Sequence, residues 1–374
     1  MKDCLGGLKC GVVVISGTNG KTTTTKIVTE LLESEGLKVF TNKTGSNFVR
    51  GVIAALIQSV DPASRKLDAD IAVLELDEAH AIRFIEHIKP TYSLLLNVMR
   101  DQLDRFAEVD YTAKLLEQVA VATADAVVIN REDSRLRTIC PSARVSYYGL
   151  SDELRIDLPE DDDLIVKGRR KVMLPKADVL LERLKDSRAT YSVDGKSYEI
   201  TLSLSGIYNA SNAAGAVALV KAILPKVRLQ RLFQKLSEIE SAFGRGEVFE
   251  VGGKRVELYL VKNPSAFQLA IKSFSDPRYA TMIAINDAPA DGRDVSWLWN
   301  VDFSSLRSVD VVSGVRADGM ALRLHYDNVR VGKVTTNLED ALDELTRLER
   351  QGRIFATYTS MLKIRKILTG EKLI

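Results

Sequence analysis

The sequence predicts an α/β protein in two parts, a larger parallel-sheet domain followed by a smaller, Rossmann-like α/β domain. Three observations predict it. Gly11 to Ser16 reads GVVVIS, an unbroken apolar run suited to a strand buried on both faces, and it passes through a Gly-rich turn into a helical stretch. Short apolar strands then alternate with helical segments through the first half. From Glu247 onward the same alternation resumes.

Taken in order, Lys21 to Gly36 reads as the first helix, and Lys38 to Phe40, Ala69 to Leu76, Tyr92 to Asn97 and Ala126 to Asn130 read as strands. Tyr111 to Ala124 is an intervening helix. Between Asp152 and Tyr198 the chain becomes charged and turn-rich, with Glu160-Asp161-Asp162-Asp163 and Gly168-Arg169-Arg170-Lys171, which predicts an excursion from the sheet with a solvated face. Helical periodicity returns at Asn209 to Leu224, closed by Pro225, and again at Leu229 to Glu240. Phe243-Gly244-Arg245-Gly246 reads as the boundary, giving domains 1–243 and 244–374. In the second, strands are expected at Val256 to Val261, Ala280 to Asn286, Val309 to Ser313 and Ile354 to Thr357, with helices at Ser265 to Phe274 and Asn337 to Gln351.

Composition narrows the function by exclusion. The 52 basic and 50 acidic side chains are dispersed, for a net charge of +2, without the basic stripe of a nucleic-acid binder. No run approaches the roughly 18 apolar residues of a membrane span, and MKDCLGGLKC carries no signal h-region, so a cytoplasmic protein is expected. Cys4, Cys10 and Cys140 are scattered thiols that build neither a disulfide framework nor a zinc ribbon.

Chemistry enters at Gly17-Thr18-Asn19-Gly20-Lys21-Thr22-Thr23. A polyphosphate needs converging backbone N–H groups and a cation, and a Gly-rich turn from strand into helix supplies the amides and the positive end of the dipole. Lys21 is placed to reach β- and γ-phosphates, the Thr22 hydroxyl to ligate Mg²⁺, and Gly20 to admit close backbone approach. The spacing is a shortened GxxGKT form, because the residue five before Gly20 is Ile15. Such loops also serve kinases, switches and motors, so the loop fixes ATP as ligand and leaves the reaction open.

Ser16 to Thr24 resembles the signature of the Mur ligase superfamily, enzymes that activate a carboxylate as an acyl phosphate and pass it to an amine. Leu74-Glu75-Leu76, Asn97, Arg100-Asp101-Gln102-Leu103-Asp104, Lys114 and Tyr208-Asn209-Ala210-Ser211-Asn212 follow in the family's order. The resemblance implies a P-loop central domain in which Glu75 is a metal carboxylate at a strand end, with Glu78 the weaker substitute, and Asn212, supported by Asn209, contacts adenine. It implies that Arg245 meets the ATP phosphates from the domain junction. Gln102 stands where other members have histidine, and direct metal coordination by it is not expected. Lys114 falls where many members carry a carbamylated, metal-binding lysine, while a lone helical lysine also reads as a solvated face.

In the second half, Leu260 to Phe267 and Asn286 to Trp299 are similar to the MurT-type family of ligase-like subunits of lipid II isoglutaminyl synthase. That resemblance implies ATP-dependent amidation of the α-carboxyl of D-glutamate in the stem peptide of lipid II or a related peptidoglycan precursor. Ammonia would come from glutamine through a GatD-type glutaminase in a heterodimer, and membrane contact would run only through the lipid substrate. It also implies that Asp294 orients the partner's catalytic histidine and is catalytic in trans. Read without the resemblance, Asp287, Asp291 and Asp294 within eight residues suggest a turn with carboxylates at its tip, usually solvent-facing and sometimes a cation site, and Trp297 and Trp299 beside it suggest a contact surface.

Two departures matter. MurT-like chains often carry a four-cysteine zinc ribbon in the central domain, but about residues 150–205 contain no cysteine, so the expected insertion lacks a structural zinc. Only ten residues precede Gly11, too few for the UDP-binding domain of the muramyl ligases. A stand-alone Mur-type amino-acid ligase and a nucleotide switch without ligase activity are the alternative readings.

Overall fold

The structure, a computed structural model, describes residues 1–42, 47–61, 64, 66–99, 109–155, 173–204, 206–240 and 245–370. They fall into two compact units that divide after Glu240.

Nine strands form the sheet of the first unit: β1 (Val12–Ser16), β2 (Val39–Thr41), β3 (Ile71–Glu75), β4 (Tyr92–Leu95), β5 (Ala126–Asn130), β6 (Arg144–Leu150), β7 (Val179–Lys185), β8 (Arg188–Val193) and β9 (Lys196–Thr201). Their spatial order is β2-β3-β1-β4-β5-β6-β7-β8-β9, parallel through β7. Every residue of β1 is buried, as its unbroken apolar run requires of a strand covered on both faces. The helix after β1, Lys21–Ser34, packs Ile27, Val28, Leu31 and Leu32 into the core of one face. Helices Val49–Ser59, Glu78–Ile85 and Val109–Ala122, which follow β2, β3 and β4, place Val52, Phe84 and Leu116 in the core of the other. The outgoing chains therefore diverge at the carboxyl end of β1, the geometry that opens a ligand crevice in a parallel sheet.

The segment expected to leave the sheet instead rejoins it. Strand β7 pairs parallel with β6, and β8 and β9 continue the sheet in antiparallel fashion. The reason is an alternation hidden by the surrounding charges: Val179 and Leu181 on β7, and Ala189, Tyr191 and Val193 on β8, are buried while their neighbours face outward. The charge runs at 160–163 and 168–171 lie outside the described residues.

The second unit is a six-stranded sheet of order β10-β11-β15-β12-β13-β14. Its strands are β10 (Arg245–Val251), β11 (Lys254–Leu260), β12 (Tyr279–Ala284), β13 (Ser308–Ser313), β14 (Arg330–Thr335) and β15 (Gln351–Ala356). Strands β10 and β11 form a hairpin turned by Gly252 and Gly253, both with positive φ, and the rest pair in parallel. Helices Pro264–Phe274 and Ala317–Tyr326 contribute Phe267, Ile271, Met320 and Leu324 to one face. Helices Leu338–Arg347 and Tyr358–Thr369 contribute Leu342, Leu345, Met361 and Ile364 to the other. The helix expected to run to Gln351 stops at Arg347, because Gln351 already pairs with Tyr279 in the sheet.

Candidate active site

Backbone geometry at the turn after β1 explains its glycines. Gly17 has φ 135° and Gly20 φ 92°, and a Cβ on Gly17 would stand 2.9 Å from the Asn97 backbone. Gly20 is the N-cap of helix Lys21–Ser34, so the turn feeds directly into the helix's positive end. Asn97 holds the turn: Thr18 N–H donates to its carbonyl (2.9 Å), Asn19 N–H to its Oδ1 (2.9 Å), and its own Nδ2 donates to the Asn19 carbonyl (2.9 Å). The Thr18 hydroxyl accepts from Met99 N–H at 3.0 Å. The end of β4, the strand paired directly with β1, thus fixes the loop before any ligand arrives.

Lys21 is 5 % exposed, and its ammonium donates to the Gly17 carbonyl (2.5 Å) and lies 3.8 Å from the buried Glu78 carboxylate. The Thr22 hydroxyl donates to Glu75 Oε1 at 2.9 Å, so two expected metal ligands meet across strands β1 and β3. Glu75 is fixed through its backbone: its N–H donates to Asn42 Oδ1 (3.0 Å), and Asn42 Nδ2 donates to its carbonyl (2.8 Å). A buried asparagine thereby supplies the ladder bonds that a longer β2 would have made. Thr23 is buried in the first turn of the helix.

Asn212, 7 % exposed, lies on helix Ile207–Ile223 beside the same turn, its Nδ2 2.7 Å from where a Gly20 Cβ would be. Asn209 is half-buried three residues earlier, on the same helix face. Lys114 is exposed and lines a surface groove with Lys89, Glu117 and Gln118. Arg100, Asp101, Gln102, Leu103, Asp104 and the side chain of Arg245 lie outside what is described.

The donor set suits ATP with Mg²⁺. Among the described residues no three His, Cys, Asp or Glu side chains gather as a metal cage. A hydroxyl and a carboxylate at hydrogen-bond distance beside a phosphate-type loop match an ion that keeps its waters and takes phosphate oxygens. When bound, Mg²⁺ would neutralise charge on the transferring phosphoryl group.

A second cluster forms at the carboxyl edge of the other sheet, where strands β12 and β15 adjoin. Asn286 N–H donates to the Thr357 hydroxyl (2.8 Å) and Asn286 Nδ2 to the Thr359 hydroxyl (3.0 Å). Thr359 donates its backbone N–H to Asp291 Oδ1 (2.7 Å) and its hydroxyl to the other oxygen. Asp291 is buried and Asp287 pairs with Arg316 at 2.6 Å, so the three aspartates do not share a solvent-facing tip as the turn reading expected. Asp294 is exposed and accepts from Ser296 N–H at 2.8 Å, and hydrogen bonds from Ser296 hold its carboxyl below the usual carboxylate range. The tryptophans divide as well: the 3₁₀ turn Ser296–Asn300 points Trp297 into the core beside Phe267, leaving Trp299 exposed.

Sequence reasoning did not single out Asn42, and it left Asn97 as a motif position without a role. Asn97 was signalled by its place in the motif order, whereas Asn42 had no signal, since its partner lies 33 residues away.

The comparisons with known proteins bear on this arrangement directly. The Mur ligase middle domain matches residues 15–220, more than half of the chain, and the MurT ligase C-terminal domain matches residues 260–361. The chain belongs to the Mur ligase family. As a Mur ligase with a MurT-type second half, it is an ATP-dependent ligase. It is similar to the MurT subunit of lipid II isoglutaminyl synthase (glutamine-hydrolyzing) of Streptococcus pneumoniae, with 29% identity over 97% of this chain and 88% of that one. The MurT subunit of Staphylococcus aureus (strain COL) is 26% identical over 86% of this chain and 78% of its own. Among solved structures, a pseudomurein peptide ligase type C from Methanothermus fervidus shares the fold with TM-score 0.73 at 17% identity, covering 96% of this chain and 79% of that one. MurF ligase from Thermotoga maritima in complex with ADP does so with TM-score 0.72 at 18% identity, covering 99% and 83%. No described helix of this Mur ligase is long and apolar enough to cross a membrane.

Proposed function

We propose that this chain is the synthase subunit of a lipid II isoglutaminyl synthase. It would amidate the α-carboxyl of D-glutamate in the stem peptide of lipid II, in the cytoplasm, with ammonia from a GatD-type glutaminase partner. The observation that carries the reading is the similarity to a MurT subunit along 97% of the chain, so that nucleotide edge and second unit are both matched.

The chain's own groups support the chemistry in sequence. Loop amides and Lys21 bind and orient the triphosphate, and Thr22 and Glu75 present oxygens to Mg²⁺. The substrate carboxylate attacks the γ-phosphorus, ADP leaves, and ammonia then displaces phosphate from the acyl phosphate to give the amide. Lys21 must exchange the Gly17 carbonyl for phosphate oxygens, which replaces a neutral partner by a charged one. Asp294, exposed and held ionised, has the protonation state needed to orient a partner's imidazole and fix its tautomer.

Reconstitution tests the proposal. The chain with a GatD-type glutaminase, glutamine, ATP, Mg²⁺ and lipid II should yield isoglutaminyl product by mass spectrometry. Amino-acid addition, or turnover indifferent to the glutaminase, would instead establish a stand-alone ligase.

A further inference from the structure

A groove of about 560 Å³ lies between the start of helix Val49–Ser59 and one face of helix Glu78–Ile85 and the turn after it. Phe48, Arg50, His80, Arg83, Glu86 and His87 line it. His80 and Arg83, three residues apart, share one face of helix Glu78–Ile85, and His87 joins them from the turn that follows it. Two of the chain's three histidines meet here with two guanidiniums. Glu86 in the groove and Asp77 beside His80 are the facing carboxylates.

Several features point to an anion. Helix Val49–Ser59 has no side-chain cap at its amino end and no acidic residue in its first turn, which leaves its N–H groups and positive dipole toward the groove. His80 Nδ1 is buried with no hydrogen-bond partner among the described residues, while the ring packs on Phe48 with centroids 4.3 Å apart. Helix Glu78–Ile85 starts three residues after Glu75, and Asp77 N–H donates to the Asn47 carbonyl (2.9 Å), which ties the entries of the two helices together near the strand end that carries Glu75.

We propose that this groove binds the pyrophosphate of the lipid-linked substrate, with Arg50 and Arg83 as paired guanidinium contacts and His80 and His87 as additional donors. The inference rests on the amidation reading for the identity of the substrate, and it adds a substrate subsite on the sheet domain itself. Guanidinium forks match phosphate oxygens bidentately, and such contacts fix the position of a long substrate relative to its reacting carboxylate.

Binding and turnover test it separately. With the nucleotide loop filled by Mg²⁺ and a non-hydrolysable ATP analogue, inorganic pyrophosphate is titrated into the full chain while the histidine ring signals are followed by NMR. His80 and His87 should shift and His325 should not, and Arg50→Ala with Arg83→Ala should weaken that binding about tenfold or more, as loss of two charge-assisted contacts implies. In the synthase assay the same pair should raise KM for the lipid-linked substrate about tenfold. KM for ATP should hold, and a stem peptide lacking pyrophosphate should respond equally in parent and variant. Absent or indiscriminate histidine shifts, or an unchanged lipid KM, overturn the inference. Failure of the parent to amidate anything removes the functional reading instead, and the titration still decides whether the groove takes pyrophosphate.

Discussion

At the carboxyl edge of the first sheet the groups that would handle nucleotide are buried and clasped, whereas at the edge of the second the candidate catalytic carboxylate is exposed. Lys21, Thr23, Glu75 and Asn212 are all buried, and Asn42 and Asn97 each bond both ways to a neighbouring backbone. Asp294 faces solvent on a loop whose anchor, Asp291, is the buried member, held by Thr359. The contrast teaches how preorganisation differs with the source of the reacting partner. A ligand enclosed by the chain is met by low-dielectric, fixed dipoles, which favour charge transfer. A carboxylate meant for a group on another protein must stay accessible, so rigidity comes from the anchor behind it.

The largest expected effect breaks the two edges apart. Asp294→Asn should lower glutamine hydrolysis by the partner by about 10³–10⁴, the cost of losing the orienting carboxylate of a triad, while synthesis from added ammonium persists. Lys21→Ala should do the reverse, lowering synthesis by about 10²–10³ or more with either nitrogen source and sparing glutaminase activity. Measured side by side, equal loss of both activities in both variants would contradict the division between the edges.

Asn42→Ala sharpens the comparison at the clasped edge. It leaves the Glu75 N–H and carbonyl buried without their partner, at a cost of about 1–3 kcal/mol in denaturant unfolding. Because Glu75 then loses its fixed position beside Thr22, the Mg²⁺ concentration for half-maximal activity should rise about 10–100-fold, as for loss of a supporting group behind a metal ligand. A variant with normal Mg²⁺ dependence would show that the clasp serves stability alone.

What was legible in the sequence follows the range of the contacts involved. The loop Gly17 to Thr23 and the strand Ala126–Asn130 are local patterns, and both were readable as they stand. Helix Leu338–Arg347 was readable at its start, and the structure shows why the start is sharp: the Asn337 side chain accepts from Glu339 and Asp340 N–H. Glu75 was readable as a carboxylate at a strand end, and its meeting with Thr22 across 53 residues was not. The Asp291–Thr359 anchor spans 68 residues and leaves no periodic trace. Trp297 and Trp299 look alike in sequence, and only the 3₁₀ turn sends one inward. Strands β7 to β9 were masked by charged neighbours whose side chains point away from the core.

The smallest effect concerns the ionisation of Asp294. Its carboxyl is held below the ordinary value by hydrogen bonds from Ser296, so it stays charged across the range in which a partner histidine titrates. The linkage has a definite sign: a depressed folded-state pKa contributes stability above the unfolded value near 3.9, and that contribution is lost as pH falls through the folded value. Ser296→Ala removes the hydroxyl bond and keeps the N–H bond, so NMR titration should find the Asp294 pKa moved part of the way up toward ordinary. Glutamine-driven turnover near neutral pH should then match the parent, because the carboxylate remains ionised there. A new acidic limb near neutrality in that variant would mean that Asp294 is coupled to another titrating group, and the picture of an exposed, independently charged orienting residue would fail.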